Sequence, residues 1–111
     1  MGKQHYSMDP VNPEQLNKYQ VSVQFEMDDE FMALVPSHRV YINSLIERNI
    51  LDYYTVSMET QRCWMVMNAG DKIEVEELLS QSPLYKYWAI EVDELFVYDG
   101  QSYRLPALQL N

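Results

Sequence analysis

Between Tyr19 and Met27 the chain alternates. Val21, Val23, Phe25 and Met27 are apolar, and Ser22, Gln24 and Glu26 between them are polar. Successive side chains of a strand point to opposite faces, so this period of two predicts a half-buried β-strand over residues 19–27. The period then changes. Leu34, Val35, Tyr41, Ile42, Leu45 and Ile46 recur at three- and four-residue spacing, and His38 falls on the same stripe. That spacing predicts an amphipathic helix over residues 30–48. Asp28, Asp29 and Glu30 stand at its entry, where carboxylates oppose the positive end of a helix, and Asn49, which tolerates left-handed backbone, suits its stop. Pro36 lacks an amide hydrogen and clashes with a preceding turn. The helix therefore either kinks there or begins there. In the second arrangement Ser37 and His38 lie in the first turn, near unpaired N–H groups.

Residues 51–58, rich in Tyr, Thr and Val, read as a second strand, and residues 62–68 as a third. Glu59, Thr60 and Gln61 turn between them, so the two strands form a hairpin. Ala69, Gly70 and Asp71 break the pattern. Asp71 caps a second helix over residues 72–80, with Ile73, Leu78 and Leu79 inward, and Ser82-Pro83 ends it. The segment YWAIEVDEL supplies the last strand. The order β-α-β-β-α-β is the ferredoxin-like plan, an α+β fold with a four-stranded antiparallel sheet and two helices on one face. Residues 1–18, polar and holding Pro10 and Pro13, read as a flexible leader; residues 19–100 form the domain. The apolar segment from Tyr103 to Leu110, within residues 101–111, is expected to pack as an arm on a neighbouring protomer.

Two helices cover one side of such a sheet. If Val21, Val23 and Phe25 face them, then Ser22, Gln24 and Glu26 face away, joined by Tyr53, Thr55 and Ser57, by Trp64 and Val66, and by Tyr87, Ala89 and Glu91. A face meant for open water rarely holds Trp and several Tyr, and burying one such ring contributes roughly 2–3 kcal/mol. The expected cover is a second copy of the chain, sheet packed on sheet about a two-fold axis. The space between is then either a small-molecule pocket or a plain dimer core.

Composition narrows the partners. The 111 residues are 47% hydrophobic, enough for one domain with a real core. A net charge of −9 repels phosphate backbones and anionic lipid, so neither nucleic acid nor a membrane surface is expected. The single cysteine, Cys63, excludes an internal disulfide and a multi-cysteine zinc site, and reads as a buried hydrophobe. No apolar run approaches the roughly 18 residues of a membrane span, and the N-terminus lacks the apolar core of a signal peptide. The expected location is the cytoplasm. Two His residues without ligand spacing and three Gly without a phosphate loop point to no metal and no organic cofactor.

Two local patterns resemble known families. LLSQSPLYKYWAIEVDEL resembles the C-terminal half of muconolactone isomerases, in which a helix ends in a Pro-Leu-aromatic turn and leads into an Ile-Glu-Val strand. That similarity runs without gaps over about residues 45–95. VPSHRVYINSLIERNIL resembles the first helix of the YCII-related family, in which Pro-x-His opens the helix. The resemblance implies the dimeric α+β barrel superfamily, whose ferredoxin-like domains dimerise through their sheets. Muconolactone isomerases move a proton on a small lactone without metal or cofactor. In YCII-related proteins the helix His pairs with an Asp next to a proline after the second helix. His38 matches that His, and Ser82, before Pro83, stands where the Asp is expected.

Two functions follow. In the first, the protein is a small cofactor-independent enzyme that isomerises a lactone or an aromatic-derived acid. His38 is its acid or base, assisted by Glu91, Glu26 or Ser82, and Tyr53, Trp64, Tyr85 and Trp88 line the pocket while Arg39 binds a carboxylate. The positive end of the helix is expected to keep the ring neutral. In the second, it is a non-catalytic oligomeric domain that binds a small ligand or serves assembly alone. His38 is then a partly buried structural residue bonded to backbone or to Ser82, and the Glu residues are ordinary surface charges.

Overall fold

A computed structural model describes residues 16–100. Its elements run β1 (Asn17–Phe25), α1 (Asp29–Glu47), β2 (Leu51–Ser57), β3 (Arg62–Ala69), α2 (Lys72–Leu79), a 3-10 turn (Tyr85–Tyr87) and β4 (Trp88–Glu94). The strands form one antiparallel sheet in the order β2-β3-β1-β4. The fold is ferredoxin-like, as the alternation of periods predicts. β1 starts two residues earlier than the pattern suggested, inside the stretch read as leader. The expected arm, residues 101–111, lies outside the described residues.

Alternation builds the core. Tyr19, Val21, Val23 and Phe25 of β1 are buried on the helix side, and Cys63, Met65, Met67 and Ala69 of β3 lie beside them. Phe31, Ile42 and Leu45 of α1 and Val75 and Leu79 of α2 close over this layer. Ile73, expected inward, is exposed, and Val75 takes the buried position instead.

Local chemistry sets the helix ends. The Asp28 carboxylate accepts from the Phe31 N–H at 2.7 Å and starts α1. Asn49 stops it with φ of 62°. The Asn49 N–H donates to the Ile46 carbonyl and the Ile50 N–H to the Leu45 carbonyl, which closes the last turn in a Schellman arrangement. Asp71 caps α2 by accepting from the Glu74 N–H, while the Glu74 carboxylate accepts from the Gly70 N–H. Pro36 neither starts nor ends α1; it lies inside the helix, on its exposed side, and the residue whose carbonyl it leaves without a donor, Met32, is exposed too. His38 is consequently not in the first turn.

Candidate functional site

His38 belongs to the buried stripe of α1 with Phe31, Ile42 and Leu45, and is 2% exposed. Both ring nitrogens are engaged. Nδ1 is 2.7 Å from Ser82 Oγ, and Nε2 is 2.7 Å from the Tyr54 hydroxyl. Ser82, itself buried in the turn after α2, also accepts the Leu84 N–H at 3.0 Å. The Cys63 thiol lies close enough to the Tyr54 hydroxyl for each to influence the other's ionisation. The ring of Trp88 stands nearly perpendicular to the imidazole at 5.4 Å between centroids. α1, β2, β3, β4 and the loop after α2 therefore meet around one polar thread, Ser82–His38–Tyr54–Cys63.

A neutral imidazole fits this thread in either tautomer. With the proton on Nε2, Ser82 donates to Nδ1 and the ring donates to Tyr54. With the proton on Nδ1 every one of these bonds reverses. Burial first, and the Arg39 charge second, lower the His38 pKa to about 4, so the ring is neutral at pH 7. This cause differs from the helix end expected from the sequence. Burial raises the Tyr54 hydroxyl well above the ordinary phenol range and pushes the Cys63 thiol up to about 12.

The predicted site residues divide into groups. His38 and Ser82 come together, and Tyr54 rather than a carboxylate completes the set. Trp88 packs against the imidazole and also lines an open groove of about 700 Å³ with Glu26, Gln24, Thr60, Lys86 and Tyr87. Glu26 is exposed there, just beyond β1. Glu91 is exposed on the far face of the sheet, as the partner of Ser22, with the sheet between it and His38. Neither Glu bonds His38. The hydroxyl of Tyr85 donates to Glu76 at the surface. Arg39 is exposed, with its guanidinium 6.0 Å from the centre of the Tyr54 ring. Tyr87, expected on the far face, belongs to the 3-10 turn; its ring meets Phe31 on the helix side and its hydroxyl donates to Glu30 at 2.7 Å.

The far face carries Tyr53 and Trp64 as the alternation predicts. Tyr53, Val66 and Gln20 form one row across three strands, and the Tyr53 hydroxyl reaches Gln20 Oε1 at 3.4 Å. That bridge crosses above Val66, which is only 1% exposed though it lies apart from the core. Trp64, Ser22 and Glu91 form the next row, and Arg62, Gln24 and Ala89 the third. The Arg62 guanidinium lies over the Trp64 ring, 5.5 Å from its centre, and its buried Nε has no hydrogen-bond partner.

The signal that would have found Tyr54 is the same alternation: it points opposite to Tyr53, toward the helices. Among the described residues no group of three or more His, Cys, Asp or Glu side chains is placed to hold a metal ion, and no helix is long and apolar enough to cross a membrane. No family model matches the chain, and no curated protein matches it. Fold and site together define a small ferredoxin-like α+β domain with a histidine locked between its helices and its sheet.

Proposed function

We propose that the protein is a self-associating, ligand-binding domain of the dimeric α+β barrel kind, pairing with a second copy through the far face of its sheet. The observation that carries this reading is the face itself. Among the described residues no helix covers it, yet it holds Tyr53, Trp64 and Val66 together with a buried Arg62 Nε that no described group satisfies. Aromatic and apolar groups on a sheet face gain from a second layer, and an unpaired buried donor costs about 1–3 kcal/mol until an acceptor meets it. His38 serves the fold in this reading: it is buried, neutral and bonded at both nitrogens.

Sedimentation velocity tests the pairing. The wild type is expected to sediment as a dimer, and Tyr53→Glu, at a position 36% exposed in one protomer, as a folded monomer. A wild type that stays monomeric at tens of micromolar refutes it.

The second reading, a cofactor-independent isomerase, draws support from the short bonds that join Ser82, His38 and Tyr54. A proton could pass along them to the half-buried Tyr54 hydroxyl. A panel of lactones and small acids, assayed with wild type and His38→Ala, tests it. Turnover lost in the variant while the fold is kept would favour the enzyme; no turnover by either protein, or equal turnover by both, removes it.

A further inference from the structure

A cavity of about 150 Å³ opens on the far face, lined by Ser22, Gln24, Arg62, Ala89, Ile90 and Glu91. Its two charged residues have opposite sign and come from the two strands that flank β1. Arg62 lies level with Gln24, and Glu91 with Ser22 one row along, so the two polar β1 side chains stand between them. No ion pair joins Arg62 to Glu91. Arg62 is held instead by the Trp64 ring, and its Nε is buried without an acceptor. The cavity is thus lined by a guanidinium with no ion-pair partner among the described residues and, across Ser22 and Gln24, by a carboxylate with none.

From this we infer that the cavity binds a small zwitterion, an amino acid whose carboxylate accepts from Arg62 and whose ammonium donates to Glu91. Arg presents a planar fork suited to carboxylates. A simple carboxylic acid meets Arg62 but is repelled by Glu91 and by a net charge of −9. A simple amine meets Glu91 but is repelled by Arg62. A ligand with both groups satisfies both ends, while the Gln24 amide and the Ser22 hydroxyl lie between them. At about 150 Å³ the cavity favours a small ligand, so amino acids with short side chains are the first probes. The inference names the ligand of the binding reading above; it needs no second copy, because all the lining residues belong to one protomer.

The test is an NMR titration of the full chain, following the Trp64 indole and Arg62 Nε–H signals. Glycine, L-alanine and β-alanine are the ligand probes, with propionate and ethylamine as single-charge controls. Saturable shifts are expected with at least one of the three amino acids, and at least tenfold weaker binding of both controls. Arg62→Gln and Glu91→Gln should each weaken binding at least tenfold; an otherwise unchanged amide spectrum shows that the variants fold. The inference is overturned if none of the three amino acids shifts these signals, if propionate binds as well as the best of them, or if Glu91→Gln binds like the wild type. Sedimentation of the same samples separates the two claims. A monomer that binds the amino acid removes the pairing alone, and a dimer that binds none removes this inference alone.

Discussion

Protonating His38 should weaken the fold, and the size of the effect follows from its surroundings. In the unfolded chain the ring titrates near 6.5; in the fold, burial and Arg39 hold it to about 4. Above pH 6.5 the ring is neutral in both states and its titration contributes nothing. Between 6.5 and 4 the unfolded chain takes up the proton while the folded chain resists, so stability falls as pH falls. Below 4 both states are charged and the loss is complete. A displacement of this size corresponds to about 3 kcal/mol, a large share of the stability of a small domain. The measurement is urea unfolding of wild type and His38→Gln at equal protein concentration, at pH 7, 6, 5 and 4. Carboxylates titrate alike in both proteins, so they cancel in the difference. At pH 7 the variant should be less stable by about 1–3 kcal/mol, because bonds to Ser82 and Tyr54 are lost in a buried place. The gap should close by about 3 kcal/mol at pH 4, leaving the variant equal or superior. A gap that stays constant from pH 7 to pH 4 would refute the view that the buried neutral ring resists protonation.

Three further outcomes are expected. Ser82→Ala leaves the Leu84 N–H and His38 Nδ1 without a partner and should destabilise by about 1–3 kcal/mol in urea unfolding, more than Tyr54→Phe, whose hydroxyl is nearer to solvent. Asp28→Ala removes the acceptor for the Phe31 N–H and should cost about 1 kcal/mol, visible as a lower Tm by circular dichroism, whereas Asp28→Ser should recover most of it. The Cys63 thiol, buried and shifted up to about 12, should resist a thiol reagent at pH 8 and react fast once urea is added; rapid reaction of the native protein would show that the polar thread opens.

Much of the fold was legible because long runs kept one period. β1 alternates cleanly, and His38, Ile42 and Leu45 of the expected α1 stripe are buried, so element order and layer arrangement followed; Ile46, read on the same stripe, is 43% exposed, and Phe31 takes a core place the spacing had not assigned. Asn49 as the stop and Asp71 as the cap were readable from their own chemistry. What failed were places where tertiary packing overrides a local signal. Pro36 normally breaks a helix, but on the exposed side of a helix anchored at both ends the lost bond is tolerated. Tyr87 has the parity of the far face, but the 3-10 turn before β4 rotates it onto Phe31. α2 is short and nearly as polar as apolar, so its inward position fell to Val75 rather than Ile73. The pairing of His38 with Ser82 was anticipated through the resemblance to YCII-related proteins, in which a helix His pairs with a residue before a proline. The bond to Tyr54 was not, because alternation puts Tyr54 on the helix side but does not say which helix residue its hydroxyl meets.

Among the described residues the order β2-β3-β1-β4 leaves two strands with one unpaired rim each, and these rims are guarded unequally. β4 carries Glu91, Asp93 and Glu94 along its length, and repulsion between such charges keeps another strand from docking there. β2 shows Val56 to solvent at 44% exposure and, apart from Asp52 beside its shifted pairing, bears no charge. Unwanted strand addition, and the aggregates that grow from it, will therefore begin at β2. A lysine in place of Val56 is the substitution that protects it.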